Sequence, residues 1–81
     1  MATNDEIRAG LAEILEEIAD VSPDDVTAEK SFTDDLDVDS LDLVELAQIV
    51  EDEYGVQLKG EDMEGVTTVR QAVDLVMSKL G

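Results

Sequence analysis

An all-α fold, a small four-helix bundle of three main helices plus one short helix with a long first loop, is what this sequence predicts. Three observations lead there. Apolar residues recur at helical spacing in three separate stretches. Each stretch opens on residues with capping chemistry, Thr3 with Glu6, Asp39, and Thr68 with Gln71. Nothing alternates for long enough to make a strand, since Val56 and Leu58 are flanked by a turn on either side. A chain of 81 residues suffices for one domain, taken as residues 1–81.

The first helix is read from Asn4 to Ala19, with Ile7, Leu11, Ile14, Leu15 and Ile18 on one stripe. Pro23 interrupts, and the segment up to Val38 shows no sustained period. Val26, Phe32, Leu36 and Val38 are its candidate anchors onto the core. The second helix should run from Ser40 to Tyr54, capped by Asp39 and stopped by Gly55. Leu43, Leu46, Ala47, Val50 and Tyr54 gather on its core side. One short helical turn fits Glu61 to Val66. The last stripe is Val69, Ala72, Val73, Val76, Met77 and Leu80. Phe32 and Tyr54 are the only aromatic residues, so the core must be aliphatic.

Charge and absences narrow the function. With 22 acidic and 5 basic residues the net charge is −17. Such a surface repels nucleic acid and anionic membranes and attracts Lys/Arg patches. Its self-repulsion should make the fold firmer in added salt. There is no Cys, hence no disulfide or thiolate, and no His, hence no Ser/His/Asp triad or imidazole ligand. No apolar run approaches the roughly 20 residues of a membrane span. Met1 to Glu6 lack the basic and apolar regions of a signal peptide. The expectation is a soluble, cytoplasmic, monomeric protein without membrane insertion.

Asp35, Asp37 and Asp39 alternate like the first ligands of a calcium-binding loop. Counting from Asp35 puts Ser40 where that loop needs Gly and Leu46 where it needs Glu. No metal site is therefore assigned, and the run reads as a solvated loop ending in a helix cap. Ser40 has three readings: local hydrogen bonding, solvation, or covalent modification. A catalytic nucleophile lacks a base here. An attached phosphate would meet the free amides and dipole of a helix start. On the outer side of the second helix Leu41 and Val44 stand with Gln48, Glu45, Glu51 and Asp52 beside Ser40. That is an apolar centre with a charged rim, the make-up of a transient docking face.

The run Asp34-Asp35-Leu36-Asp37-Val38-Asp39-Ser40-Leu41-Asp42-Leu43-Val44-Glu45-Leu46 resembles the acyl carrier proteins of dissociated bacterial fatty acid synthases. Phe32, Glu51-Asp52-Glu53-Tyr54 and Val66-Thr67-Thr68-Val69 fit the same family, most of all its actinobacterial, meromycolate-extension-type members. The resemblance implies that Ser40, between Asp39 and Leu41, receives 4′-phosphopantetheine from a phosphopantetheinyl transferase using coenzyme A. The protein is then no enzyme but a carrier of acyl chains to fatty acid synthase enzymes with basic docking patches. Leu41, Glu45, Gln48, Glu51 and Asp52 match the family's partner-recognition helix. Phe32, Leu46, Leu58, Met63, Val66, Ala72 and Leu75 match positions lining its acyl-sheltering interior. Lys59-Gly60 departs from the family's Pro followed by Asp or Glu, which implies a less firmly held third helix. A polyketide-synthase carrier shares this pattern, and an acidic interaction module without a covalent cofactor is the reading from another class.

Overall fold

The structure, a computed structural model, describes residues 3–80; Met1, Ala2 and Gly81, the ends of the expected domain and the first residues of the signal-peptide argument, lie outside them. Four α-helices follow in order: α1 (Asn4–Ala19), α2 (Ser40–Tyr54), α3 (Gly60–Glu64) and α4 (Val69–Leu80). The expected ends of α1 and α2 are the observed ones, and α4 spans the expected stripe from Val69 to Leu80. Their caps account for this. The Thr3 hydroxyl accepts from the Glu6 N–H at 3.2 Å, and Thr68 accepts from the Gln71 N–H at 3.3 Å. Asp20 closes α1 with a positive φ of 57°, a conformation that Asp tolerates better than most residues.

α1 is the centre of the packing, lying against both α2 and α4. It buries Ile7, Leu11, Ala12, Ile14 and Leu15. α2 adds Leu46, Ala47 and Val50, and α4 adds Val69, Ala72, Val73 and Val76. Ile18, Leu43, Tyr54 and Met77 are only half-buried. Leu80, read from the sequence as part of the last stripe, is 41% exposed. It ends the helix, beyond the reach of the core, so its period continues without burial.

The long connection from α1 to α2 is not loose. Val26, Phe32, Leu36 and Val38 are all buried, as their spacing among polar residues suggested. A short 3-10 turn at Pro23–Asp25 starts it, with Pro in the first position, where its missing N–H costs nothing. Further on, an isolated antiparallel bridge joins Ser31 to Thr68. Phe32 N–H donates to Thr67 O, Val69 N–H to Lys30 O and Arg70 N–H to Ala28 O, each at 3.0 Å. The connection is thus stapled to the start of α4.

α3 differs from the expected Glu61 to Val66, starting and ending earlier at Gly60–Glu64. Its start is fixed by Asp62, whose Oδ2 reaches back to the Lys59 N–H at 3.1 Å. It buries no residue. Among the described residues no helix is long and apolar enough to cross a membrane.

Candidate functional site

Ser40 is the first residue of α2, and it is exposed. The residue before it explains why the helix starts there: the Asp39 carboxylate accepts from the Asp42 N–H at 2.9 Å, satisfying one of the free amides. The acidic run upstream is organised by its own backbone. Asp35 Oδ2 accepts from the Ser31 N–H at 2.7 Å, Val38 N–H donates to Phe32 O at 2.8 Å, and Asp37 turns the chain with φ 59°. The carboxylates of Asp35 and Asp39 thus serve as acceptors for nearby backbone N–H groups. Among the described residues no group of three or more acidic side chains converges on a metal position.

Beside Ser40, α2 and the 58–64 segment enclose an open groove of about 420 Å3. Leu43, Val44, Ala47, Gln48 and Glu51 form one wall and Leu58, Lys59, Gly60, Met63 and Glu64 the other, with Ser40 at the rim. Of the seven expected acyl-lining positions, this groove contains Leu58 and Met63. Phe32, Leu46 and Ala72 lie in the closed core, and Val66 and Leu75 are half-buried outside the groove. The sequence missed Leu43 and Ala47 as lining residues, having assigned both wholly to the core face. No periodicity separates a residue that faces a neighbouring helix from one that faces a gap between helices. Lys59 and Gly60 did carry a signal, since both break the expected pattern.

The outer face of α2 is exposed as expected. Leu41 is 78% and Val44 57% exposed, two large aliphatic side chains side by side in solvent. Glu45, Gln48 and Asp52 are exposed around them. Glu51 is not equivalent to these. It is half-buried, and its Oε2 accepts from the Leu58 N–H at 3.0 Å.

α3 is held from its other side by an ion pair, Lys79 Nζ to Asp62 Oδ2 at 3.2 Å. The Lys59 N–H and then the Lys79 ammonium hold the Asp62 carboxyl below its ordinary range. At the far end of α2, burial first, then the charges of Glu53, Glu13 and Glu6, push the Tyr54 phenol up.

An exposed serine thus opens a capped helix next to a largely apolar groove. The profile of the family described as "Phosphopantetheine attachment site" matches residues 9–76. The chain is 56% identical over 72 residues to the meromycolate extension acyl carrier protein of Mycolicibacterium smegmatis, covering 89% of this chain and 73% of that one. It is 52% identical to the protein of the same name in Mycobacterium tuberculosis H37Rv, covering 88% of this chain and 62% of that one. The fold matches the crystal structure of the acyl carrier protein of Thermotoga maritima, with a TM-score of 0.86 at 27% identity, over 95% of this chain and 89% of that one. The chain belongs to the acyl carrier protein family. Members of that family are carriers, and the cofactor that goes with membership is covalently attached 4′-phosphopantetheine. The exposed hydroxyl and the adjoining groove fit such a group.

Proposed function

We propose that this chain carries acyl groups as thioesters on a 4′-phosphopantetheine arm joined to Ser40 Oγ, and presents them to the enzymes of fatty acid synthesis. The chain itself catalyses nothing; the arm supplies the thiol that a protein without Cys lacks. The observation that carries this is the accessibility of Ser40 at the start of α2, beside a groove of about 420 Å3. Neighbouring Asp39 holds the turn that presents the hydroxyl, and Leu41 flanks it as an exposed apolar contact.

The partners in this reading are a phosphopantetheinyl transferase and synthase enzymes with basic patches. Leu41 and Val44 would form the apolar centre, and Glu45, Gln48 and Asp52 the polar rim. Long-range attraction to the −17 charge favours fast encounter, and tethering raises the cargo's effective concentration at each enzyme. The names of the M. smegmatis and M. tuberculosis relatives point to the extension of long chains as the pathway. The reading includes a monomeric carrier working in the cytoplasm, where coenzyme A is available. Cargo would enter between α2 and α3, past Leu58 and Met63. Phe32, Leu46, Val66, Ala72 and Leu75 would then form the deeper aliphatic interior.

Incubation with coenzyme A and a broad-specificity phosphopantetheinyl transferase, followed by intact mass, tests this. One added arm is expected on the wild type and none on Ser40→Ala. An unmodified wild type would end the proposal.

A further inference from the structure

The groove beside Ser40 has one wall that the core holds only lightly, through Val56 and Leu58, which pack against it half-buried. α3 buries no side chain, and Leu58 and Met63 are only half-buried. Residues 56–59, which lead into it, have no regular structure. Apolar contact alone is a weak tether for such a segment, because little surface leaves water. Polar ties therefore add to this light packing in setting where the wall stands.

Two such ties are present, both made by carboxylates. Asp62 links α3 to the end of α4 through Lys79 at 3.2 Å. Glu51 links the connection to α2 through the Leu58 N–H at 3.0 Å, and this is the one hydrogen bond described for that amide. The Glu51 bond spans the turn at Gly55, whose φ of 68° reverses the chain after α2. It joins opposite walls of the groove, since Glu51 and Leu58 both line it. A carboxylate accepting an N–H is a stronger tie than a neutral pair, and partial burial protects it from water.

We propose that Glu51 is a positioning residue of the groove: its carboxylate holds the 56–59 connection against α2 and sets the groove's width. This role goes beyond that of a docking charge on the outer face. Glu45 and Asp52, which are exposed and have no described hydrogen bond through their side chains, supply that charge. The tie itself does not depend on Ser40 being modified; only its consequence for cargo rests on the carrier reading. Loosening it widens the entrance and lowers the protection given to whatever lies inside.

The test uses the full-length unmodified protein, 15N-labelled, with amide hydrogen exchange read at Leu58. Glu51→Ala is expected to speed that exchange by about tenfold or more, the loss of a charge-assisted bond. Glu51→Gln keeps an acceptor oxygen and is expected to exchange much closer to the wild-type rate. Glu45→Ala removes the same charge from α2 and is expected to leave Leu58 unchanged. Amides in α1, such as Leu15, report whether any variant has lost its fold as a whole. Unchanged Leu58 exchange in Glu51→Ala overturns the proposal, and so does an equal rise in Glu45→Ala, which would trace the effect to charge alone. Failure of the wild type to gain an arm would overturn the carrier reading and leave this result standing, so the two are separable.

Discussion

The two sides of α2 are built on different terms. Toward α1 and α4 the helix meets a closed aliphatic core, in which Ile7, Leu15, Val26, Phe32 and Val69 are completely buried. Toward α3 it meets a groove whose far wall is only half-buried, at Leu58 and Met63, and is tied by two carboxylates. Apolar burial is non-directional and strong in sum, so the first side can be stable without fine adjustment. Hydrogen bonds and ion pairs at a surface are individually weak, so the second side can open without unfolding the first. A carrier needs both: a platform that survives many encounters, and a compartment that yields at each.

Paired truncations would break or sharpen this contrast most. Phe32→Ala is expected to cost about 3–5 kcal/mol, a large part of the roughly 4–12 kcal/mol that a domain of this size has. Met63→Ala, on the groove wall, is expected to cost roughly 1 kcal/mol, in line with half-burial. Denaturant melts would show the difference directly. Equal losses would mean that α3 belongs to the core after all.

A smaller effect tests the junction of α1 with the end of α2. A Cβ at Gly10 would collide with the Tyr54 hydroxyl. Gly→Ala inside a helix ordinarily gains about 1 kcal/mol. Here Gly10→Ala is expected to lose roughly 1 kcal/mol instead, because Tyr54 must be displaced. In a Tyr54→Phe background the colliding oxygen is gone and the ordinary gain should return. A melt of the four proteins in this cycle decides it; a stabilising single Gly10→Ala would show that Tyr54 is free to move.

The smallest effect is local and pH-dependent. The folded-state pKa of Asp62 is lowered, so its contribution is fully present above the ordinary carboxyl value near 4. It is lost as pH falls through the lowered value. The protection of the Lys59 amide, whose N–H Asp62 accepts, taken relative to the intrinsic exchange rate at each pH, should therefore fall on acidification before that of any α1 amide does. Asp62→Asn should remove that early step. A single transition shared by α1 and α3 would argue against separate terms for the two sides.

The same contrast explains what could be read from the residues alone. α1, α2 and α4 were legible to the residue because each combines an apolar stripe with cap chemistry, as at Thr3, Asp39 and Thr68. The exposure of Ser40, Leu41 and Val44 followed from which side of α2 was left over. α3 was misplaced because a helix without buried residues has no stripe, and because its cap is a reach-back by Asp62 that the pattern at Gly60 conceals. The bridge between Ser31 and Thr68 was invisible, since one residue pair carries no period. Glu51 was grouped with the docking carboxylates because helical spacing places it near them. Its actual partner, a backbone N–H beyond the next turn, leaves no trace in side-chain type. The groove is a property of how two segments stand apart; of its lining, only Leu58 and Met63 were among the positions that the resemblance implied.

The staple between residues 28–32 and 67–70 has a consequence for how the domain comes to exist. The acidic turns ahead of Ser40 are closed by local bonds, but the stretch of chain that enters them is also pinned by residues more than thirty positions further along. A shortened chain ending before Thr67 would contain every side chain around the serine and still lack the scaffold that displays it. The last helix, which supplies none of the groove's lining, thereby anchors the segment that leads into the serine.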